Sequence, residues 1–213
     1  AYEIVSRDWS SDVCSSDLPL DLPALQAARA AGVPLSSATR LFMERCPAPI
    51  LGITGSAGKT TTTALIGRML AAGGLQIEVG GNNGRILLDR LTSLTPQHWV
   101  VLEMSHTQLE MTDRSPQVAL VTNISPSHAD RYPNMADYIA LKENIFGHQS
   151  AGDTLALNWD DPATRAMATK AHGRVVWFSL HERPDGDGAY LDGDTLRLRW
   201  QGADAAKIGR AHV

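Results

Sequence analysis

The segment Gly55-Ser56-Ala57-Gly58-Lys59-Thr60-Thr61 carries the first residues in this sequence whose types and spacing could do chemistry. It follows a short apolar run, Pro-Ile-Leu-Gly-Ile-Thr at 49–54, and opens a helix-period pattern from Lys59 to Ala72. Glycines in such a turn let backbone N–H groups curl round a phosphate, and the helix N-terminus adds partial positive charge. Lys59 would meet the β- and γ-phosphates of a nucleotide. Thr60 would offer its hydroxyl to a magnesium ion bridging those phosphates. The spacing is a variant of the common phosphate loop, because Ile53 stands where its first glycine would be. A glycine turn that only caps a helix is the alternative, but Gly-Lys-Thr-Thr after an apolar strand answers no structural need. Nucleotide binding by residues 55–61 is therefore expected. A second chemical group lies downstream, where Trp99-Val100-Val101-Leu102-Glu103 sets an acid at the end of an apolar strand. From that position a carboxylate reaches magnesium in phosphate-loop proteins.

These side chains need a scaffold that brings strand ends together. Apolar, β-branched runs at Trp99–Leu102, Val118–Ile124, Thr154–Leu157 and Val175–Phe178 alternate with helical patterns. The expected fold class is α/β, a phosphate-loop-type, mostly parallel sheet covered by helices on both faces. Pro19–Pro34 predicts a short helix leading inward, with Asp21 as its cap. Ala189–Trp200 alternates with period two around Asp192-Gly193, which predicts a small antiparallel hairpin near the C-terminus.

The 213 residues, 43% hydrophobic and 20% charged, suffice for one or two domains with a substantial core. A net charge of -4 with scattered Lys and Arg gives no basic stripe, so nucleic acid is not an expected partner. No run approaches the roughly 20 apolar residues of a membrane-spanning helix, and no secretory signal opens the chain. A cytoplasmic protein without membrane insertion is expected, with Cys14 and Cys46 reduced and not catalytic. Residues 1–17, rich in Ser and Asp, and residues 207–213 look foreign to the domain between them.

No Asn-Lys-x-Asp guanine-reading element is present, which argues against a GTPase. Instead, Ile53-Thr54-Gly55-Ser56-Ala57-Gly58-Lys59-Thr60-Thr61-Thr62 resembles the ATP signature of the Mur ligase superfamily. Further segments agree in order. Gly80-Gly81-Asn82-Asn83-Gly84 resembles the family's Gly-Asn-Ile-Gly turn, with Asn83 in place of an apolar residue. Glu103-Met104-Ser105-His106-Thr107-Gln108-Leu109-Glu110 resembles Glu-Leu-Ser-Ser-Phe-Gln-Leu-Glu, with His106 and Thr107 as departures. Asn123-Ile124 through His128-Ala129-Asp130-Arg131 resembles the Asn-Ile-x-x-x-His-x-Asp-Arg element. Tyr138 to Phe146 resembles the helix whose lysine is carbamylated in many members, and Asn158-Trp159-Asp160-Asp161 resembles a strand-end Asn-x-Asp-Asp.

The resemblance implies ATP and two magnesium sites, with Thr60, Glu103, His128 and a carbamylated Lys142 as metal ligands. Lys59, Glu103, His128 and Lys142 would form the catalytic set, and Asn82, Ser105, Gln108 and His128 would lie on the substrate side. It implies amide ligation through an acyl phosphate, with no covalent enzyme intermediate. Among the branches it favours UDP-N-acetylmuramoyl-L-alanine and glutamate as substrates. A folylpolyglutamate synthase or another Mur ligase is the alternative enzyme, and a nucleotide-binding module without turnover is the alternative for the chain by itself. The same likeness implies that residues 18–47 end an N-terminal UDP-binding domain and that residues 48–206 form an incomplete central ATP-binding domain. A fragment of this kind would be inactive alone, and the full-length enzyme would be monomeric.

Overall fold

The structure is a computed structural model and describes residues 20, 22–127, 132 and 134–210. Asp21, His128, Asp130, Arg131 and residues 1–17 lie outside the described residues.

The apolar run before the loop forms β1 (Ile50–Thr54), and the helix pattern after it forms α3 (Lys59–Ala72). Then follow β2 (Gln76–Gly81), β3 (His98–Glu103), α4 (His106–Glu110), β4 (Val118–Val121) and α5 (Met135–Glu143). The chain closes with β5 (Thr154–Asn158), α6 (Pro162–Met167), β6 (Arg174–Ser179), β7 (Gly188–Asp192), β8 (Thr195–Trp200) and β9 (Ala203–Arg210). Among the described residues nine strands join one sheet in the order β2-β3-β1-β4-β5-β6-β7-β8-β9. Neighbours from β2 to β7 pair parallel, and β7-β8 and β8-β9 pair antiparallel.

The register sorts the core. Ile50 lies opposite Val100, Gly52 opposite both Leu102 and Ala119, and Val121 opposite Leu157. On this face Val100, Leu102, Ala119, Val121, Leu155 and Leu157 pack with Phe42, Tyr138, Ile145, Phe146 and Met167 in one buried cluster. The other face carries α3 over β1, β2 and β3. Gly67 lets that helix lie close, since a Cβ there would stand 2.6 Å from Val79 Cγ2.

Several sequence expectations are corrected here. The N-terminal helix pattern is shorter, α1 (Pro23–Ala30), follows Leu22 as N-cap and buries none of its residues, so it does not lead into the core. The inward element is α2 (Ala38–Arg45), which Ser37 caps by accepting the Arg40 N–H at 3.1 Å, and which buries Phe42 and Met43. The expected antiparallel hairpin is present as β7 and β8, and it joins the main sheet because β7 pairs parallel with β6. Its two-residue turn, Gly193-Asp194, has Gly193 at φ +62. The turn from β8 to β9 has both central residues at positive φ, Gln201 at +53 and Gly202 at +79, as a type I′ turn requires. Strand β9 pairs with β8, with Arg197 opposite Lys207 and Thr195 opposite Arg210.

Candidate active site

The chemistry-bearing side chains converge at the carboxyl ends of the central strands. From β1 the chain passes outward to β2, returns through β3, and then crosses to β4 on the other side of β1. In open parallel sheets the crevice outside such a reversal of strand order is where ligands bind. Thr54, Glu103 and Asn123 follow or end β1, β3 and β4 at that point.

The loop from Gly55 to Gly58 is braced by the end of β4. Ser56 donates its N–H to the Asn123 carbonyl at 2.9 Å, and Ala57 donates to Asn123 Oδ1 at 3.1 Å. The Ala57 carbonyl accepts from Thr122 Oγ1 at 2.7 Å and from Asn123 Nδ2 at 3.0 Å. Gly55, at φ +143, has no room for a Cβ, which would run into Thr122 Oγ1. These bonds end β4 at Val121, short of the expected Ile124, because Thr122 and Asn123 turn aside to hold the loop. They also divide the loop's amides. Those of Ser56 and Ala57 serve the brace. Gly58, at φ +80 on the N-cap of α3, has no side chain to satisfy the first-turn amides of Lys59, Thr60 and Thr61, which are the groups presented to an anion. Lys59 Nζ folds back to the carbonyls of Gly55 and Ser56, at 3.0 and 3.1 Å. Burial holds its pKa below the usual lysine value, and the Glu103 charge partly opposes that shift.

Glu103 ends β3 beside Ile53, one strand from the loop, and is 1% exposed. Its Oε1 accepts from Asn82 Nδ2 at 3.1 Å, and the Asn82 N–H donates to the Glu103 carbonyl at 3.0 Å. Among the described residues its buried Oε2 has no hydrogen-bond partner. A buried, unsatisfied carboxylate oxygen beside a phosphate loop fits a hard divalent cation. Lys142, on α5, is also 1% exposed. Its Nζ donates to Thr54 Oγ1 at 3.1 Å and lies 5.3 Å from the centre of the Tyr138 ring. Burial, and after it the charge of Lys59, lowers the Lys142 pKa to about 7.

Ser105 and Gln108 are buried and turned to a local task. Ser105 caps α4 by accepting the Gln108 N–H at 3.3 Å, and Gln108 Oε1 accepts the Ser105 N–H at 2.8 Å, which completes a capping box. His106 packs edge-on against Tyr132, with ring centres 5.7 Å apart. His128 lies outside the described residues, so its place in the site is not described. Sequence reasoning assigned no role to Thr54, Thr122, Asn123, Tyr138 or Asp161. Tyr138 OH lies 3.3 Å from Ser56 Oγ, and Asp161 links α6 to the segment after β4 by accepting the Ile124 N–H at 2.6 Å while capping its own helix. The Asp-Pro pair at 161–162 was the one local signal for the last of these.

The profile of the Mur ligase middle domain matches residues 53–205. The chain belongs to the Mur ligase family. As a Mur ligase middle domain it is 45% identical, over 86% of its length, to UDP-N-acetylmuramoylalanine–D-glutamate ligase of Symbiobacterium thermophilum. It is 43% identical over 90% of its length to the enzyme of the same name from Acetivibrio thermocellus. It spans 40% and 41% of those two relatives. Among solved structures, the UDP-N-acetylmuramate:L-alanyl-gamma-D-glutamyl-meso-diaminopimelate ligase from Neisseria meningitides aligns with a TM-score of 0.62 at 16% identity, covering 91% of this chain and 65% of that one. MurF ligase from Thermotoga maritima, in complex with ADP, aligns at 0.55 and 20% identity, covering 75% and 39%. These two likenesses bear on the fold alone. No described helix is long and apolar enough to cross a membrane.

Proposed function

We propose that this chain supplies the ATP-binding centre of a ligase that joins D-glutamate to UDP-N-acetylmuramoyl-L-alanine in the cytoplasmic stage of peptidoglycan synthesis. The observation that carries the reading is the buried Glu103 Oε2, unpartnered among the described residues, beside a loop whose lysine is half-buried. Relatives at 43% and 45% identity bearing that enzyme's name supply the substrate class.

The arrangement suits phosphorylation of a carboxylate, in which two anions must approach. The amides of Lys59, Thr60 and Thr61 and the Lys59 ammonium hold the phosphates and offset their charge. Thr60 and Glu103, and at a second site a carbamylated Lys142 with His128, would hold magnesium, which would supply positive charge that offsets the repulsion between the two anions. Asn82 fixes the Glu103 carboxylate through Oε1 and leaves Oε2 directed elsewhere. A Lys142 pKa of about 7 leaves a large share of the amine neutral near neutral pH, which carbamylation requires. The phosphorylated carboxylate is then open to the glutamate amine, so positioning and electrostatics carry the rate and no nucleophilic side chain is needed.

The test is phosphate release by a full-length ligase carrying this domain. Release that needs ATP, magnesium, the muramoyl-alanine acceptor and D-glutamate together supports the reading. Release that is indifferent to the acceptor, or that appears only with a folate acceptor, contradicts it. A second reading, binding without turnover, applies to the chain by itself, because it spans only about 40% of the relatives it matches. It is tested by ATP binding without phosphate release from these 213 residues.

A further inference from the structure

We propose that Thr54 is the positioning residue that orients the Lys142 nitrogen and the carbamate formed on it, an inference that rests on the reading of Lys142 given above. Thr54 is the last residue of β1 and is fully buried. Its hydroxyl carries one proton, which is given to the Met104 carbonyl at 2.9 Å. Toward Lys142 Nζ, 3.1 Å away, Thr54 Oγ1 can therefore act only as an acceptor. The oxygen is held firmly, since the Thr54 backbone carbonyl accepts the Thr122 N–H at 2.9 Å and its strand lies between β3 and β4.

Carbamylation joins the neutral amine to carbon dioxide. The nitrogen lone pair forms the N–C bond, one C–O π pair moves onto oxygen, and one nitrogen proton is released to solvent water. The product, R–NH–COO⁻, keeps one N–H. That N–H is the donor Thr54 accepts. The N–H and the carboxylate of a carbamate lie in one plane, so tying the N–H to Thr54 fixes the plane in which the two oxygens present themselves. A hydroxyl that gave its proton to Lys142 instead would favour the bare amine. The Met104 carbonyl prevents this by engaging that proton.

The experiment places the full-length ligase, and its Thr54→Val and Thr54→Ser variants, in ¹³C-bicarbonate buffer. Carbon NMR then reads the carbamate, and Lys142→Met identifies its signal. Valine keeps the shape but cannot accept a hydrogen bond, whereas serine restores the acceptor. The expected result is a carbamate signal in the parent and the serine variant and its loss in the valine variant, with kcat falling about 10–100-fold and KM for ATP little changed. Thermal melting verifies that the valine variant is folded, and Thr54→Ala replaces it if it is not. Equal signals in parent and folded valine or alanine variant overturn the role of Thr54 while leaving that of Lys142 intact. A parent without a carbamate signal overturns both.

Discussion

The Asn123 side chain grips Ala57 at both of its backbone polar groups, accepting the N–H at Oδ1 and donating from Nδ2 to the carbonyl. The two distances, 3.1 and 3.0 Å, match those of an ordinary backbone pair, so the end of β4 fixes the curvature of the phosphate loop before any ligand arrives. Replacement by alanine removes both bonds. Asn123→Ala is expected to lower stability by about 1 kcal/mol, the scale of partly exposed hydrogen bonds, and to weaken ATP binding on the order of tenfold as the loop loses its preset shape. Denaturant melting and nucleotide titration read the two effects. Unchanged nucleotide affinity in the variant would show that the brace is not what shapes the loop.

Glu103 should trade stability for function. Its Oε2 is buried and unpartnered among the described residues, which costs free energy in the absence of a cation. Glu103→Gln removes the charge at nearly constant volume, so the expected melting temperature without magnesium is equal to or above the parent's. The midpoint of a magnesium titration of activity should rise and kcat should fall on the order of 100-fold. A variant that keeps parental magnesium dependence would remove Glu103 from the metal site.

Lys142 makes stability depend on pH with a definite sign. Its folded pKa of about 7 lies below the ordinary 10.5, so between those values the unfolded chain binds more protons than the folded one. Stability is therefore expected to rise with pH across that window, with the full cost of charge burial present below about 7. Lys59, also lowered, contributes in the same direction, while the Glu103 carboxylate opposes its shift. Lys142→Met should raise stability at neutral pH and flatten the slope. Urea unfolding of parent and variant at several pH values, in buffers free of carbon dioxide, reads both. A slope unaltered by the substitution would place the titrating group elsewhere.

Ser105 separates a local from a substrate-side role. The capping box makes Ser105→Ala cost about 1 kcal/mol of stability. If capping is its whole contribution, KM for the muramoyl substrate in the full-length enzyme stays at the parental value. A large rise in that KM would show that the hydroxyl also faces substrate.

The parts of the fold legible in the sequence are those set by near neighbours. Strand β1, the glycine turn and the start of α3 follow from adjacent residues, and the end of α3 from Gly73-Gly74. The turn at Gly193 is equally local. Strand β2 was hidden because Gln-Ile-Glu-Val-Gly-Gly is short, half polar and ends in glycines. Gly81 serves there at φ +107, pressed against the Glu103 backbone so closely that no Cβ fits. Helix α2 was hidden by its polar residues, and its burial of Phe42 depends on partners far along the chain.

The site divides in the same way. Lys59 and Glu103 were readable from loop type and strand end. Thr54 and Lys142 stand 88 residues apart in sequence, and only the folded chain brings them to 3.1 Å. The Asn123 brace likewise spans 66 residues. Spacing along a chain cannot reveal a bond made across a sheet.

The central claim, that this domain drives glutamate ligation with ATP, is tested most directly by mass detection of the product. A full-length ligase carrying this domain is given ATP, magnesium, UDP-N-acetylmuramoyl-L-alanine and D-glutamate, beside its Lys59→Ala variant. The expected result is the dipeptidyl product from the parent and its loss in the variant. ATP binding by the parent with no glutamate product would contradict it, and so would a product formed equally well without Lys59.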